Sequence, residues 1–316
     1  MSKPLVSLTV ICYNAERFVR EAIEGALAQT YSPLEIIFSD DASTDNTFEI
    51  IQEAVKDYKG PHKIVLNRNE RNMGIGAHVS KVWFEIAKGE WIIVSAGDDV
   101  SLPHRISRIM QEASEDVALV HHHNILIDEL SSELSQTNSY AHVQEYLETA
   151  AIEDIIKYGI WVRGMSMALN VKMLKLFGPF NPDIVNEDVV LAYRAKHFGR
   201  IIHLDESLMK YRIHSKSVSY TANKLTYAEY VQNLRRLALR RIAVMNQVIT
   251  DTRVLKFSEK FIRWLQEEIV INKGILWLYG NEAFKVHYLL KRKLLPHICR
   301  RILYKPYLKV KDILQR

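Results

Sequence analysis

Residues 34–51 have the sequence LEIIFSDDASTDNTFEII, which contains the signals of a strand, a polar turn and a helix in succession. The apolar run at Leu34–Ser39 predicts a buried β-strand. Ser43-Thr44-Asp45 is a helix-capping sequence, and Phe48 and Ile51 follow it at helical spacing. We therefore expect a strand that leads through an acidic turn into a helix.

The alternation of strand and helix extends on both sides of this unit. Four further apolar runs predict strands, at Leu5–Ile11, Lys63–Leu66, Trp91–Ala96 and Val117–Val120. Helical spacing occupies the segments between them, at 15–29, at 73–87 and from Pro103 onward. Strands separated by helices in this way predict an α/β fold, with a mostly parallel sheet that is covered by helices.

The pattern changes near residue 221, beyond which the sequence has helical spacing and no strand signal. Three helices are predicted there, at Tyr227–Val248, Phe257–Leu278 and Phe284–Leu303. We therefore expect an α/β domain at residues 1–220 and a helical C-terminal region at residues 221–316.

The composition excludes several classes of protein. A chain of 316 residues that is 48% hydrophobic can bury a sizeable core, so disorder, collagen-like repetition and a small disulfide scaffold are excluded. One of the two cysteines, Cys12, lies in a predicted buried strand, which favours a reducing, cytoplasmic compartment. No run of apolar residues is long enough to predict a membrane-spanning helix.

The end of the chain is strongly basic. Residues 285–316 contain ten Lys and Arg against one Asp, whereas the whole chain has a net charge of +5. Apolar residues recur every four positions there, from Leu290 through Leu294 to Ile298. Basic amphipathic helices are typical of membrane surfaces, and the alternative is packing on the α/β domain or on a second subunit. Nucleic-acid binding is disfavoured because the rest of the chain is acidic.

Pairs of acidic residues follow two of the predicted strands, where parallel sheets bind their ligands. Asp40-Asp41 follows Leu34–Ser39, and a carboxylate there can accept the N–H of a nucleobase or simply make a turn. Asp98-Asp99 follows Trp91–Ala96. Because adjacent buried acids repel each other, this pair indicates a divalent metal site, with a solvated turn as the alternative.

Two later motifs add a third acidic group and a basic one. Asn186-Glu187-Asp188 begins a helical segment, so its acids either cap that helix or act as a general base toward a hydroxyl. Arg212 and His214 are candidates to face phosphate oxygens. Acids that read a base, hold a metal and deprotonate an alcohol form the set required to transfer a sugar from a nucleotide diphosphate.

These motifs resemble those of the family 2 glycosyltransferases, which have the GT-A fold. The matching segments are Tyr13-Asn14, Gln29-Thr30-Tyr31, Asp40-Asp41-x-Ser43-x-Asp45, Asn72-x-Gly74, Ser95–Asp99, Asn186–Asp188 and Tyr211-Arg212-x-His214. They cover residues 5–220. In one departure, Ala96 stands where many members have the first Asp of the D-x-D motif. The resemblance implies an inverting enzyme that uses a nucleotide-sugar donor.

The resemblance also implies roles for particular residues. The implied nucleotide-binding residues are Tyr13, Asp40, Asp41 and Asp98, with Asp41 reading the base. The implied ligands of a Mn²⁺ or Mg²⁺ ion are Asp98, Asp99 and His214. Asp188 is the implied catalytic base, with Glu187 as the alternative, and Trp161 would stack on the acceptor sugar or pack in the core.

The expected function is transfer of a sugar from a UDP-sugar to a saccharide or lipid-linked acceptor. Members of the family with this role build bacterial surface polysaccharides such as O-antigen and capsule, at the cytoplasmic face of the membrane. The alternative is a non-catalytic protein of the same fold that binds a sugar nucleotide or acts as a scaffold.

A run of three histidines, His121-His122-His123, directly follows the strand predicted at Val117–Val120. Histidine is a common zinc ligand. Consecutive residues of a strand point to opposite faces, so these three side chains are not expected to bind one ion.

Overall fold

The computed structural model describes residues 3–134, 147, 151–158, 162–214, 227–252, 254–255 and 259–278. The chain divides into two compact units, Met1–Tyr220 and Thr221–Arg316. Trp161, the basic residues 285–316 and the helix predicted at 284–303 lie outside the described residues.

Among the described residues, the first unit contains one sheet of eight strands. They are β1 (Val6–Cys12), β2 (Leu34–Asp40), β3 (Lys63–Arg68), β4 (Trp91–Ala96), β5 (Val100–Ser101), β6 (Val117–Ile127), β7 (Met167–Asn170) and β8 (Arg200–Arg212). Their order in the sheet is β3-β2-β1-β4-β7-β6-β8-β5.

The sheet is mostly parallel, as predicted. Strands β1 to β4 are parallel to one another. Strand β7 is antiparallel to both β4 and β6, so β6 and its parallel neighbour β8 run in the same direction as β4. The two-residue strand β5 lies at the edge of the described sheet and is antiparallel to β8. The carboxyl ends of β1, β2, β4, β6 and β8 therefore lie at one edge.

Helices flank this sheet, which confirms the α/β prediction. They are α1 (Val19–Leu27), α2 (Thr47–Val55), α3 (Ile75–Lys81), α4 (Arg105–Ile109), α5 (Ile152–Tyr158), α6 (Val171–Phe177) and α7 (Glu187–Phe198). A π-helical turn, Val82–Ile86, continues α3.

The central strands form the core of this unit. All seven residues of β2 are buried, and Leu8, Ile36 and Ile93 on adjacent strands have no exposed surface. Strands covered on both faces are apolar throughout and do not alternate with polar residues. This is why the β-type runs were legible as strands in the sequence.

The second unit contains two described helices, α8 (Tyr227–Asp251) and α9 (Glu259–Leu278), which pack against each other. Val248 and Leu265 are fully buried in this unit. None of the described helices has the combination of length and apolar character that a membrane span needs.

Helix α2 begins at Thr47 with Asn46 at the N-cap, so Ser43 and Thr44 of the predicted capping sequence lie before the cap. The Ser43 hydroxyl is already used, because it donates to the Asp40 carboxylate. Asp45 accepts the N–H of Thr47 over 3.0 Å. Three strands that the sequence analysis did not predict, β5, β7 and β8, complete the sheet.

Candidate active site

Asp40, the last residue of β2, makes the turn that follows this strand. Its carboxylate is fully buried, and it accepts the backbone N–H of Ser43 over 3.0 Å and the Ser43 hydroxyl. The guanidinium of Arg68 lies 3.6 Å away. Asp40, one of the implied nucleotide-binding residues, therefore holds the loop that follows β2 in place.

Asp41 holds the loop that leads into α3. Its carboxylate accepts the Asn69 amide over 2.8 Å and the backbone N–H groups of Met73 and Gly74 over 2.9 and 3.0 Å. Gly74 has φ 76°, a conformation that glycine adopts at little cost. The Asn-x-Gly segment seen in the sequence is therefore a loop built around the Asp41 carboxylate, which is 4% exposed.

Tyr13 lies next to these acids, just beyond the end of β1, and 49% of it is exposed. Asn14 follows with φ 49°. Its backbone N–H donates to the Ser43 hydroxyl over 2.8 Å, and its side-chain oxygen accepts the N–H of Thr44 over 2.9 Å. These bonds join the loops that follow β1 and β2, and they leave the Tyr13 ring at the surface of the joined loops.

Asp98 and His214 meet beyond the ends of β4 and β8. The Asp98 Oδ2 and His214 Nε2 atoms are 3.0 Å apart, and the side chains are partly exposed. The His214 ring packs against Phe18, with 4.9 Å between ring centroids. Residues 116 positions apart in the chain thus form one imidazole–carboxylate pair, which is the predicted association of the two motifs.

Asp99 lies beside this pair but is buried, with 1% of its surface exposed. Its Oδ1 accepts the backbone N–H of Arg212 over 2.9 Å. Its Oδ2 is buried without a hydrogen-bond partner among the described residues. Burial raises the pKa of Asp99 well above its usual value, and the charge of Asp98 raises it further. A cation near the two acids would relieve both effects.

Arg212 is the cation that holds the loop of Asp98 and Asp99 in place, a role that the sequence analysis did not predict. It is fully buried and donates to the backbone oxygens of Asp98 and Asp128, each over 3.0 Å. Further bonds reach Ser131 over 2.9 Å and Glu21 over 3.1 Å. The interpretation that Arg212 faces phosphate is wrong, because the side chain is fully buried and four of its five N–H donors are used inside the protein.

A second buried guanidinium, Arg105, supports β4 from the side of α4. It donates to the backbone oxygens of Val94 and Met165 over 2.8 and 2.5 Å, and to Nε2 of His122 over 3.0 Å. Burial lowers the pKa of Arg105 to about 9. The sequence had no signal for this role, since an Arg in the first turn of an amphipathic helix usually faces solvent.

Glu187 and Asp188 occupy the first turn of α7, as predicted, and both are half-buried. A Cβ placed on Gly164 would lie 3.0 Å from the Glu187 Oε1, so this carboxylate borders the segment 162–166. In the same segment, the Arg163 guanidinium stacks 4.3 Å from the centre of the Tyr211 ring. The start of α7 and the end of β8 thus contact one short segment.

The loop before α7 also touches the nucleotide-side loops. The N–H of Gly76 donates to the backbone oxygen of Ile184 over 3.1 Å, and a Cβ on Gly76 would come within 2.5 Å of that oxygen. Gly74, two residues earlier, is bound to Asp41. The loop at 181–186 and the Asp41 loop are therefore held together through the start of α3.

This α/β fold, with carboxylates gathered at the carboxyl edge of a mostly parallel sheet, is that of a GT-A glycosyltransferase. The model of glycosyl transferase family 2 matches residues 7–175, and the chain belongs to that family. Membership of this family favours an enzyme over the non-catalytic alternative.

Several relatives of the chain are described as glycosyltransferases or putative glycosyltransferases. Over 107 residues the chain is 34% identical to the putative glycosyltransferase EpsE of Bacillus subtilis. This match covers 34% of this chain and 37% of the relative. Over 225 residues it is 27% identical to EpsH of the same organism, covering 69% and 63%. The glycosyltransferase GlyG of Streptococcus pneumoniae is 28% identical over 240 residues, covering 71% and 76%. The matches span less than two thirds of both Bacillus proteins.

Two solved structures share the fold. One is TarS 1–349 of S. aureus in complex with UDP-GlcNAc, with a TM-score of 0.55, 14% identity, and coverage of 87% of this chain and 81% of that chain. The other is the mannosyltransferase PcManGT from Pyrobaculum calidifontis in complex with GDP-Man and Mn²⁺, with a TM-score of 0.54, 16% identity, and coverage of 99% and 84%. At these identities the likeness concerns the fold alone.

Proposed function

We propose that the protein transfers one sugar from a UDP-sugar to a hydroxyl group of a saccharide or lipid-linked acceptor, with inversion at the anomeric carbon. The observation that carries the proposal is the Asp98–His214 pair, at 3.0 Å, next to the buried Asp99 carboxylate. Complexes of two proteins of the same fold contain UDP-GlcNAc and GDP-Man, which supports a nucleotide-sugar donor here.

The side chains of Asp98, Asp99 and His214 offer ligand atoms that suit a divalent cation. Asp98, Asp99 and His214 would hold Mn²⁺ or Mg²⁺, since these ions prefer carboxylate oxygens and Mn²⁺ also accepts imidazole. The buried Asp99 Oδ2, which has no hydrogen-bond partner among the described residues, supports this fit. A bound ion would neutralise charge on the departing diphosphate. The Mn²⁺ in the PcManGT complex is consistent with this assignment.

Asp188 is the proposed general base. Its place in the first turn of α7 favours the ionised carboxylate, because the amino end of a helix is positive. The acceptor hydroxyl oxygen forms its bond to the anomeric carbon while the bond from that carbon to the diphosphate oxygen breaks. The hydroxyl proton passes to Asp188. One displacement from the face opposite the diphosphate inverts the configuration.

The nucleotide would lie over the joined loops after β1 and β2. Tyr13 is exposed there and can cover the base. Asp41 retains acceptor capacity for the ring N–H of uracil, because a carboxylate can accept about four hydrogen bonds and three are assigned here. Asp40 would contribute by holding this loop in place.

We propose that Trp161 stacks on the acceptor sugar, and that the basic segment 285–316 docks on the anionic inner face of the cell membrane. A product of this kind belongs to a bacterial surface polysaccharide such as O-antigen or capsule. Removing residues 285–316 should abolish binding to anionic vesicles, and undiminished binding would contradict membrane docking by this segment.

The catalytic assignment is tested with Asp188→Asn. Release of UDP that depends on donor and acceptor should fall by roughly 10²–10⁴-fold, whereas stabilisation by UDP in a thermal-shift assay should persist. Glu187→Gln is the matched control in the same helical turn and should retain more activity. Wild-type turnover in Asp188→Asn would contradict the base assignment. UDP binding without turnover by the wild-type chain would support the non-catalytic alternative.

A further inference from the structure

A cluster of metal-ligating side chains lies on β6 and β8, outside the candidate active site. His123 Nε2 is 2.8 Å from the Asp205 Oδ1 and 3.1 Å from the His203 Nε2. One ligand atom from each of these residues lies within 4.8 Å of the others. We propose that His123, His203 and Asp205 bind one Zn²⁺ ion.

The pairing of the two strands explains why these residues meet. His121 lies opposite His203, and side chains two positions apart on a strand share a face, so His123 is on the His203 side. The next pairs are His122 with Leu204 and then His123 with Ser207. Strand β8 therefore bulges by two residues at this point. Bulges redirect side chains, and this one contains Asp205.

The middle histidine of the run faces the other way, as the sequence predicted. His122 is fully buried and accepts from Arg105 over 3.0 Å. Burial, together with the charge of Arg105, lowers the pKa of His122 well below its usual value. His122 is thus a neutral core residue, and the proposed ligands come from the opposite face of the sheet.

One nitrogen of this cluster faces two polar neighbours among the described residues. An imidazole nitrogen offers either one N–H or one lone pair, in a single direction. Nε2 of His123 has two polar neighbours, the Asp205 oxygen and the His203 nitrogen. A proton on that nitrogen points to one neighbour at a time, so the Asp205 oxygen and the His203 nitrogen compete for the same hydrogen bond. A metal ion accepts a lone pair from all three groups at once.

The distances suit zinc after a small adjustment. Zinc binds imidazole nitrogen at about 2.0–2.1 Å, so the ligand atoms of a tetrahedral site are about 3.3 Å apart. The observed 2.8 and 3.1 Å would expand by a few tenths of an ångström. Two imidazoles and a carboxylate are a common zinc set, with water as the fourth ligand. The side chain of Asp205 is 94% exposed and that of His123 is 14% exposed, so an ion can enter.

A fourth histidine supports the site from behind. Nδ1 of His203 is 3.3 Å from Nδ1 of the fully buried His121. Histidines that bind metals generally donate their other ring N–H to a neighbouring acceptor, which fixes the ring orientation. His121 is placed to accept the N–H at Nδ1 of His203. This tautomer would leave Nε2 of His203 unprotonated and available to the ion.

The proposed zinc site is distinct from the Asp98–Asp99–His214 corner. The ligand His123 lies four positions before Ile127, which pairs with Arg212, and four positions span about 13 Å along a strand. The site would link β6 to the bulge of β8. An ion here would therefore stabilise the pairing of these strands and take no part in the sugar-transfer chemistry.

The experiment is a calorimetric titration of Zn²⁺ into the metal-free full chain. Asp98→Asn is present in every sample, so that the candidate active site does not contribute. One Zn²⁺ per chain is expected. His203→Ala, and separately Asp205→Asn, should weaken the affinity at least tenfold, and His121→Ala by about 10–100-fold. Co²⁺ added in place of Zn²⁺ should give the visible absorption of a tetrahedral site, and His203→Ala should lose it.

The matched control is His104→Ala, because His104 is exposed and lies outside the cluster. It should bind Zn²⁺ as tightly as the parent chain. Asp205→Asn keeps the proposal testable if a histidine variant fails to fold, since the Asp205 side chain is at the surface. Equal Zn²⁺ affinity in Asp205→Asn, His203→Ala and the parent chain, or no binding at micromolar concentrations, would overturn the proposal.

Discussion

The backbone N–H of Arg212, the last residue of β8, donates to the Asp99 carboxylate over 2.9 Å, although the two residues are 113 positions apart. The guanidinium of Arg212 returns to the same loop by donating to the backbone oxygen of Asp98 over 3.0 Å. One residue thus ties the end of β8 to the acidic pair after β4. His214 follows two positions later and is brought to Asp98 by this connection.

Replacing Arg212 by Lys should destabilise the protein and weaken catalysis together. Lysine carries a charge but lacks the planar set of donors, so the buried oxygens of Asp98 and Asp128 lose their partners. We expect the free energy of unfolding to fall by about 2–4 kcal/mol in urea denaturation. Arg17→Lys is the control, because Arg17 forms a surface pair with Glu129 and its side chain is 56% exposed. Arg17→Lys should lower the free energy of unfolding by less than about 1 kcal/mol. An equal loss in both variants would contradict the conclusion that Arg212 holds the Asp98 and Asp128 loops in place.

Asp41→Asn should disorganise the loop at 69–74. The amide oxygen can replace one carboxylate oxygen, but the amide nitrogen would face the N–H groups that now donate to Asp41. A loss of about 1–3 kcal/mol in unfolding free energy is expected, with a higher KM for the donor. Titrations with UDP and GDP distinguish the roles: base reading predicts a larger loss for UDP, whereas loop support alone predicts equal losses.

Gly97→Ala should displace the acidic pair after β4. A Cβ at this position would lie 2.8 Å from the Cys12 Sγ and 3.3 Å from the Ala15 Cβ, both in tightly packed structure. We expect a loss of about 1–3 kcal/mol in stability and a higher Mn²⁺ concentration for half-maximal activity. Gly164→Ala is the control for stability, because its new methyl would meet only the end of the Glu187 side chain. Wild-type Mn²⁺ dependence in Gly97→Ala would contradict the metal assignment.

The stability of the first unit should depend on pH through His78. Burial lowers the pKa of His78, although the neighbouring Asp41 and Asp40 oppose this effect. Below the unfolded-state pKa of about 6.5 the unfolded chain binds more protons at this residue than the folded chain. The stabilising contribution of neutral His78 is therefore complete above pH 6.5 and is lost as the pH falls toward the folded-state value.

The measurement is urea denaturation of the wild type and of His78→Gln at several pH values from 7.5 to 5. Gln can donate or accept in place of His78 in the hydrogen bond to Ser39, which spans 2.6 Å, but Gln does not titrate in this range. The wild type should lose up to about 1.4 kcal/mol per pH unit relative to the variant. A stability difference that is constant with pH would show that His78 does not titrate in this way.

The acidic pairs of the candidate site could be predicted because they directly follow strong strand signals in the sequence. Asp98 and Asp99 follow WIIVSAG, and Asp40 and Asp41 follow LEIIFS. A buried parallel strand has an apolar run that ends where its polar residues begin. Strand β8, with the sequence RIIHLDESLMKYR, was missed because its bulge and its polar residues break both the apolar run and the alternation.

Local patterns were enough to predict the α/β class, strands β1 to β4, the start of β6 and the acidic groups at the ends of β2 and β4, because apolar runs and helical spacing are local properties of the chain. The use that the protein makes of these groups depends on contacts that form only in the folded chain. The tertiary structure buries Arg212 against Asp98, turns Asp40 toward Ser43 and brings His123 to His203 and Asp205. These contacts join residues that are far apart in the chain or lie on a bulge, and they follow from strand pairing and burial, which no local pattern specifies.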